Sequence, residues 1–290
     1  MYQRNNSLTS KPRSESPELK LRLISAAVGL PLLGLTLFFG FWPVSVVAIA
    51  VAAVVGLETQ QLAFGKSKSV APKGSAALVG AFIAGLGVFG AALGELKIDY
   101  SSADTAERIV VVILVVLVAE FLITSRFARY QAISRRKLII SYGIIVVLAV
   151  TLLPFIVSSD GGHELLAYGI LVMFAADSGA YFVGRSIGRR RMAPNVSPGK
   201  TWEGFAGGLV AAVVASLLLS NLLSLDFSIV KIVVIGLVIA ALGVVGDLTE
   251  SWVKRLADVK DSGGIIPGHG GILDRLDALA PIFVFIYFIV

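Results

Sequence analysis

Residues 229–255 read IVKIVVIGLVIAALGVVGDLTESWVKR. Up to Gly246 the only charge in this stretch is Lys231, whereas Asp247, Glu250, Lys254 and Arg255 crowd its end. An apolar run of this length crosses the roughly 30 Å hydrocarbon core of a bilayer as a helix. The charged turns then fall at the membrane edge, where Asp247, Glu250, Ser251 and Lys254, at i, i+3, i+4 and i+7, share one helix face. A transmembrane β-barrel would need ten-residue segments of alternating polarity, and this run does not alternate.

The rest of the chain repeats the pattern. Of 290 residues 56% are hydrophobic and only 15% are charged, against about 25% charged in a soluble domain. That leaves too little polar surface to cover a water-soluble globule, and it excludes disorder, coiled coil and collagen. Apolar segments lie near 22–40, 43–57, 76–94, 109–123, 138–157, 165–183, 204–223, 229–247 and 276–290. The expected fold is therefore all-α, a polytopic transmembrane helical protein of about nine spans. Residues 1–21 form a polar tail expected to be disordered and cytoplasmic, 22–160 an N-terminal set of membrane helices, and 161–290 a C-terminal catalytic region.

Orientation follows from the basic residues. Of the 25 lysines and arginines, only Lys97, Arg108 and Lys231 lie outside the N-terminal tail and the loops that share its side. The positive-inside rule puts that tail, and the charged ends of spans six and eight, in the cytoplasm. The net charge of +6 is thus explained by topology and anionic headgroups, with membrane lipids as partners and no nucleic acid. No cysteine is present, which rules out a disulfide framework and a thiolate nucleophile. Two histidines, His163 and His269, are too few for a histidine-built metal site, so any metal would be a hard, oxygen-ligated cation.

Two cytoplasmic stretches concentrate the polar chemistry. In the first, Asp177-Ser178-Gly179-Ala180-Tyr181 ends span six, and Ser197-Pro198-Gly199-Lys200-Thr201-Trp202-Glu203-Gly204 opens span seven. Gly199-Lys200-Thr201 is not a P-loop, since that motif requires glycine where Pro194 stands. It reads instead as a cationic, Gly/Pro-bent loop opening a helix near Thr201, whose free N–H groups and lysine suit phosphate oxygens. In the second, the helix end at Asp247–Arg255 leads through Lys260-Asp261 into a turn-rich stretch with Gly263, Gly264, Gly268, Gly270 and Gly271. Asp274-Arg275-Leu276-Asp277 then opens the last span. A salt-bridged interfacial network would explain the paired charges. It does not explain aspartates at the ends of apolar spans, where a charge costs roughly 2.5–3.5 kcal/mol even on lenient insertion scales. Carboxylates, lysines and glycine-rich backbone together suit Mg2+-assisted phosphoryl or nucleotidyl transfer. Glu58 and Glu120, at cytoplasmic ends of spans, read as snorkelling or paired with a basic neighbour.

Ser251-x-Val253-Lys254-Arg255, Lys260-Asp261-x-Gly263 and Ile266-Pro267-x-His269-Gly270-Gly271-Ile272-x-Asp274-Arg275-Leu276-Asp277 resemble, without departure, the signature of the phosphatidate cytidylyltransferases, or CDP-diacylglycerol synthases. The two upstream motifs and Gly246-Asp247-Leu248-x-Glu250-Ser251 are similar to that family too, so the resemblance covers roughly 165–280. It implies an enzyme that makes CDP-diacylglycerol and pyrophosphate from CTP and phosphatidic acid, a multi-pass protein of the cell (inner) membrane working at its cytoplasmic face as a homodimer. It also implies Mg2+, with K+ as a second cation, held by Asp247, Asp274 and Asp277. Phosphate neutralisation falls to Lys200, Lys254, Arg255, Lys260 and Arg275, with Lys254 and Lys260 counted as catalytic, and backbone cradling to Gly270 and Gly271. Asp177, Ser197, Thr201, Glu250, Ser251, Asp261 and His269 complete the expected substrate site.

Two rivals fit less well. A cation-coupled secondary transporter would place its polar site near the midplane, and here the candidates share one side. Another lipid-phosphate transferase, the CDP-alcohol phosphotransferase, uses an Asp-Gly motif followed by Ala-Arg, whereas Asp160-Gly161 continues Gly162-His163-Glu164. The topology is testable because the chain has no background thiol. Single cysteines at Ser69, Ser134 and Asn195 should resist an impermeant thiol reagent on intact cells, and those at Ser102 and Ser159 should react. Equal labelling at 195 and 159 would overturn the nine-span reading.

Overall fold

The computed structural model describes residues 31, 34–65, 75–95, 132–265 and 270–290. Its elements in chain order are α1 (Phe41–Phe64), α2 (Ser75–Glu95), α3 (Ala132–Thr151), α4 (Leu153–Ser158), α5 (Gly162–Ile187), β1 (Arg191–Ala193), β2 (Ser197–Thr201), α6 (Trp202–Leu222), α7 (Ile229–Leu256), α8 (Leu273–Leu276) and α9 (Leu279–Tyr287). The expected tail and the fourth span lie outside the described residues, as does most of the first span.

Among the described residues, five helices are long and apolar enough to cross a membrane: α1, the α3–α4 rod from Arg135 to Ser158, α5, α6 and α7. The rod is the centre of the bundle, with 78% of its apolar window buried against 22% for α6 at the periphery. Its break at Leu152 has a local cause. Pro154 stands in the first turn of α4, where it can neither donate to the turn before it nor fit beside that turn's carbonyl. α7 has 28 residues, which at 1.5 Å each is ~42 Å. That exceeds the ~30 Å core, so a helix carrying Lys231 near one end and Asp247–Arg255 at the other can span it with its charged turns outside.

α5 and α6 cross closely because both are lined with small residues. A Cβ on Gly179 would collide with Ala211, one on Gly207 with Val183, and one on Gly208 would touch the Ala176 carbonyl at 3.0 Å. In lipid, where burial of apolar surface gives helices no reason to associate, such close backbone approach supplies the packing energy. Tyr168 and Ser216 hydrogen-bond across the same interface, and Ser216 donates to the Ile232 carbonyl at 2.9 Å, tying α7 to it.

Two expectations change. The all-α reading misses an antiparallel hairpin, β1 with β2, pairing Arg191 with Thr201 and Ala193 with Ser197. The strands hold three and five residues, with Pro194, Pro198 and Gly199 in or between them; nothing in the side-chain pattern advertises a strand. The last span, expected over 276–290, contains a helix of nine residues, Leu279–Tyr287, ~13 Å long. It buries Ala280, Ile282, Phe283 and Ile286, with Ile286 seated on Gly169 of α5.

Candidate active site

The hairpin is placed by its two ends. Glu203, in the first turn of α6, accepts hydrogen bonds from the backbone N–H groups of Arg189 and Arg190, both at 3.1 Å. Thr201 is the N-cap of α6 and accepts from Gly204 N at 3.1 Å, while Trp202 N donates to the Arg190 carbonyl at 2.9 Å. The N–H groups expected to be free for phosphate at this helix start are therefore partly engaged. Lys200 remains as the cation of the loop.

Beneath the hairpin lies a cavity of about 600 Å3 lined by Asp177, Ser197, Lys200, Thr201 and Asp247, with Arg191 among its other walls. The first five are all expected site residues, contributed by α5, β2 and α7. Lys200 Nζ pairs with Asp247 Oδ2 at 2.7 Å, both side chains half-buried, and Ser251 one turn on donates to Asp247 Oδ1 at 3.2 Å. Arg185 Nη1 donates to the Tyr181 hydroxyl at 2.6 Å on the exposed side of α5; both line this cavity, although neither is among the expected site residues.

A second cluster follows along α7. Lys254 Nζ stands 2.7 Å from Glu250 Oε2 and 2.7 Å from Asp274 Oδ1. The shared face inferred from the i, i+3, i+4, i+7 spacing is realised: its Asp247 end meets Lys200 of the hairpin and its Lys254 end meets Asp274 of α8. Asp274 also accepts from Ser262 N (3.0 Å to Oδ2) and from Gly271 N (2.8 Å). The Gly271 N–H, expected to cradle phosphate, thus holds a carboxylate here. Gly270 has φ +85, and a Cβ on it would stand 2.8 Å from Asp274 Oδ2, so glycine is required on both counts. Asp277 accepts from Ala278 N at 2.7 Å, and its carbonyl presses on Gly246, one residue from Asp247. Arg255, Lys260, Asp261 and Arg275 are exposed, Arg255 donating to the Val259 carbonyl at 3.1 Å. His269 lies outside the described residues.

The donor set suits a hard cation, being carboxylate without cysteine or histidine. Its present arrangement is closed: among the described residues no three such side chains converge on one ion position. Lysine ammonium groups stand against Asp247 and Asp274.

One functional neighbour escaped the sequence reading. Glu58 of α1, expected to snorkel or to pair with a basic residue, is 1% exposed and accepts three hydrogen bonds from the glycine-rich stretch and the start of α8. The available signal was an acidic residue inside an apolar helix, which is costly unless satisfied.

The model of the cytidylyltransferase family matches residues 20–290. Among curated proteins, the chain is 48% identical over 136 residues to a phosphatidate cytidylyltransferase of Haemophilus influenzae, covering 44% of this chain and 47% of that protein. It is 46% identical over 128 residues to one of Bacillus subtilis (44% and 48%) and 40% identical over 126 residues to one of Brucella suis (43% and 46%). The matched stretch spans just under half the length of each of these relatives.

Asp274 yields a prediction about stability. Burial alone would raise its carboxyl, but contacts with the Glu250 and Lys254 side chains, the Gly271 N–H and the Lys254 charge together hold it down at about 2, from an ordinary 3.8. A carboxyl lowered on folding stabilises the protein above its ordinary value, and loses that contribution as pH falls through about 4 toward 2. The size is roughly 2 kcal/mol at 1.36 kcal/mol per tenfold change in proton affinity. In detergent, Asp274→Asn should melt below the wild type at pH 6, and the gap should narrow by roughly half by pH 3. A gap that is constant over that range would mean the charge is not its source.

Proposed function

The chain belongs to the cytidylyltransferase family, and on that premise we propose that it transfers the cytidylyl group of CTP to phosphatidic acid, releasing pyrophosphate and forming CDP-diacylglycerol for phospholipid synthesis. The observation that carries the proposal is the Lys200–Asp247 pair in the wall of a 600 Å3 cavity at the charged end of apolar helices. A water-soluble polyphosphate and a membrane lipid can meet only at such an edge. We place this edge at the cytoplasmic face of a cell (inner) membrane crossed about nine times, with the N-terminus inside, and take the working form to be a homodimer.

A phosphate oxygen of phosphatidate attacks the α-phosphorus of CTP. The new P–O bond forms as the bond from the α-phosphorus to the oxygen bridging to the β-phosphate breaks, and its electron pair leaves on pyrophosphate. The attacking oxygen is already anionic near neutral pH, so no strong general base is needed. What the protein must supply is charge neutralisation and alignment of two anions. Lys200 in the cavity wall, with Arg191 beside it, can bind polyphosphate. Lys254, already shared between two carboxylates, is held in one place by them, as a cation that stabilises developing charge has to be. Arg255, Lys260 and Arg275, exposed on the same side, add to the positive field. Mg2+, with K+ as a second cation, is the proposed cofactor; Asp247, Asp274 and Asp277 would hold it, and when bound it would neutralise phosphate charge.

Labelled CTP should enter a chloroform-extractable product only with phosphatidic acid and Mg2+ present. Lys200→Gln should lower turnover or raise the KM for CTP at least tenfold, which is about 1.4 kcal/mol, and Asp247→Asn should abolish transfer in protein that remains folded. Incorporation unchanged by chelation, or wild-type kinetics in Lys200→Gln, would overturn the assignment.

A further inference from the structure

Glu58 is remote in sequence from every motif of the site, yet residues 262–263 and 271–273 close around it. Ser262 Oγ donates to Oε2 at 3.0 Å, Ile272 N to Oε1 at 3.0 Å and Leu273 N to Oε2 at 2.8 Å. Ile272 and Leu273 begin α8, so these are N–H groups that a helix start leaves without partners of its own. The approach leaves no room for a side chain. A Cβ on Gly263 would stand 2.6 Å from Oε1 and 2.9 Å from Cδ of Glu58, and one on Gly271 would stand 2.5 and 2.7 Å from the two oxygens. Two glycines of the motif thus have a physical reason, and it is this carboxylate.

The same segment faces the other way toward the site. Ser262 and Gly271, which touch Glu58, also give their backbone N–H groups to Asp274, and Asp274 holds Lys254. A charge buried among apolar helices is costly unless fully satisfied, so its presence calls for a geometric reason. Only a carboxylate offers acceptors on both edges: Ile272 N takes one oxygen while Leu273 N and the Ser262 hydroxyl take the other. A glutamine in either flip would turn its NH2 toward one of the two backbone N–H groups, setting donor against donor.

We infer that Glu58 is a positioning residue, which fixes the glycine-rich stretch so that Asp274, and through it Lys254, stand where the transfer needs them. The kinetic half of this inference rests on the proposed function; the mechanical half does not. In full-length protein in detergent, Glu58→Gln should speed amide hydrogen exchange of a peptide covering 270–276 at least tenfold. Exchange in the central α3–α4 rod should be unchanged. Turnover per folded molecule should fall at least tenfold while the KM for CTP moves less than threefold, a split that simple loss of folded protein would not give. Gly263→Ala crowds the same carboxylate without removing a bond partner and should give the same signature should the glutamine variant not fold. In a Glu58→Ala background, the further change Gly263→Ala should add less than twofold to the exchange rate, because the atoms it meets are those of Glu58. Wild-type exchange in both Glu58→Gln and Gly263→Ala would overturn the anchor, and faster exchange with wild-type turnover would overturn its positioning role. A wild-type chain that transfers nothing from CTP would remove the proposed function instead, while the exchange measurement still decides the anchor.

Discussion

Lys254 lies 2.7 Å from a carboxylate oxygen of Glu250 and 2.7 Å from one of Asp274, and the charged end of the molecule is arranged around that double contact. Glu250 is 1% exposed and the Asp274 side chain 7%. Neither could keep a charge there alone, since stripping water from an ion costs several kcal/mol unless a partner replaces it. Lys254 supplies the one ammonium, and the backbone completes the shell of Asp274: Ser262 N and Gly271 N both point at it. This explains why α8 follows a stretch of glycines. A Cβ at Gly270 would meet Asp274, and one at Gly263 or Gly271 would meet Glu58.

The two ion-paired clusters lie on consecutive turns of one helix. Asp247 with Ser251, then Glu250 with Lys254, follow the i, i+4 spacing of α7 and hold the hairpin through Lys200 and α8 through Asp274. α7 thus acts as a rail along which the site is laid out. Its length beyond the membrane core allows those turns to be charged at all. The opposite wall is set by the α5–α6 crossing, where glycines let backbones touch and Glu203 fixes the Arg189 and Arg190 backbone.

What could be read from the sequence is what depends on local periodicity. The apolar runs that became α1, α5, α6 and α7, the shared face of Asp247, Glu250, Ser251 and Lys254, and the helix start after Thr201 all follow from spacings within one element. The hairpin escaped because Pro and Gly suppress any strand pattern, and its pairing is fixed by Glu203 and Trp202 beyond its ends. The shortness of α9 escaped because residues 276–290 have the composition of a span throughout, and nothing in it marks a late start for the helix. Glu58 was misread because its partners lie 204 to 215 residues away. A lone acid in an apolar run carries no information about which distant backbone will satisfy it.

Elements from the two sides of residue 160 also pack against each other. Residues on the C-terminal side supply the charges, but the stretch that presents Asp274 is gripped from α1. Ala278, Ala280, Ile282, Phe283 and Ile286 belong to the same buried core as Leu138, Val146 and Leu152 of the central rod and its break. Van der Waals contact alone could join these helices in many nearly equivalent rotations. Three hydrogen bonds to two oxygens of one carboxylate admit only one. A polar contact inside an apolar bundle is costly to satisfy, and that cost selects a single register, so a carboxylate far from any motif can fix the geometry of residues whose chemistry is plain in the sequence.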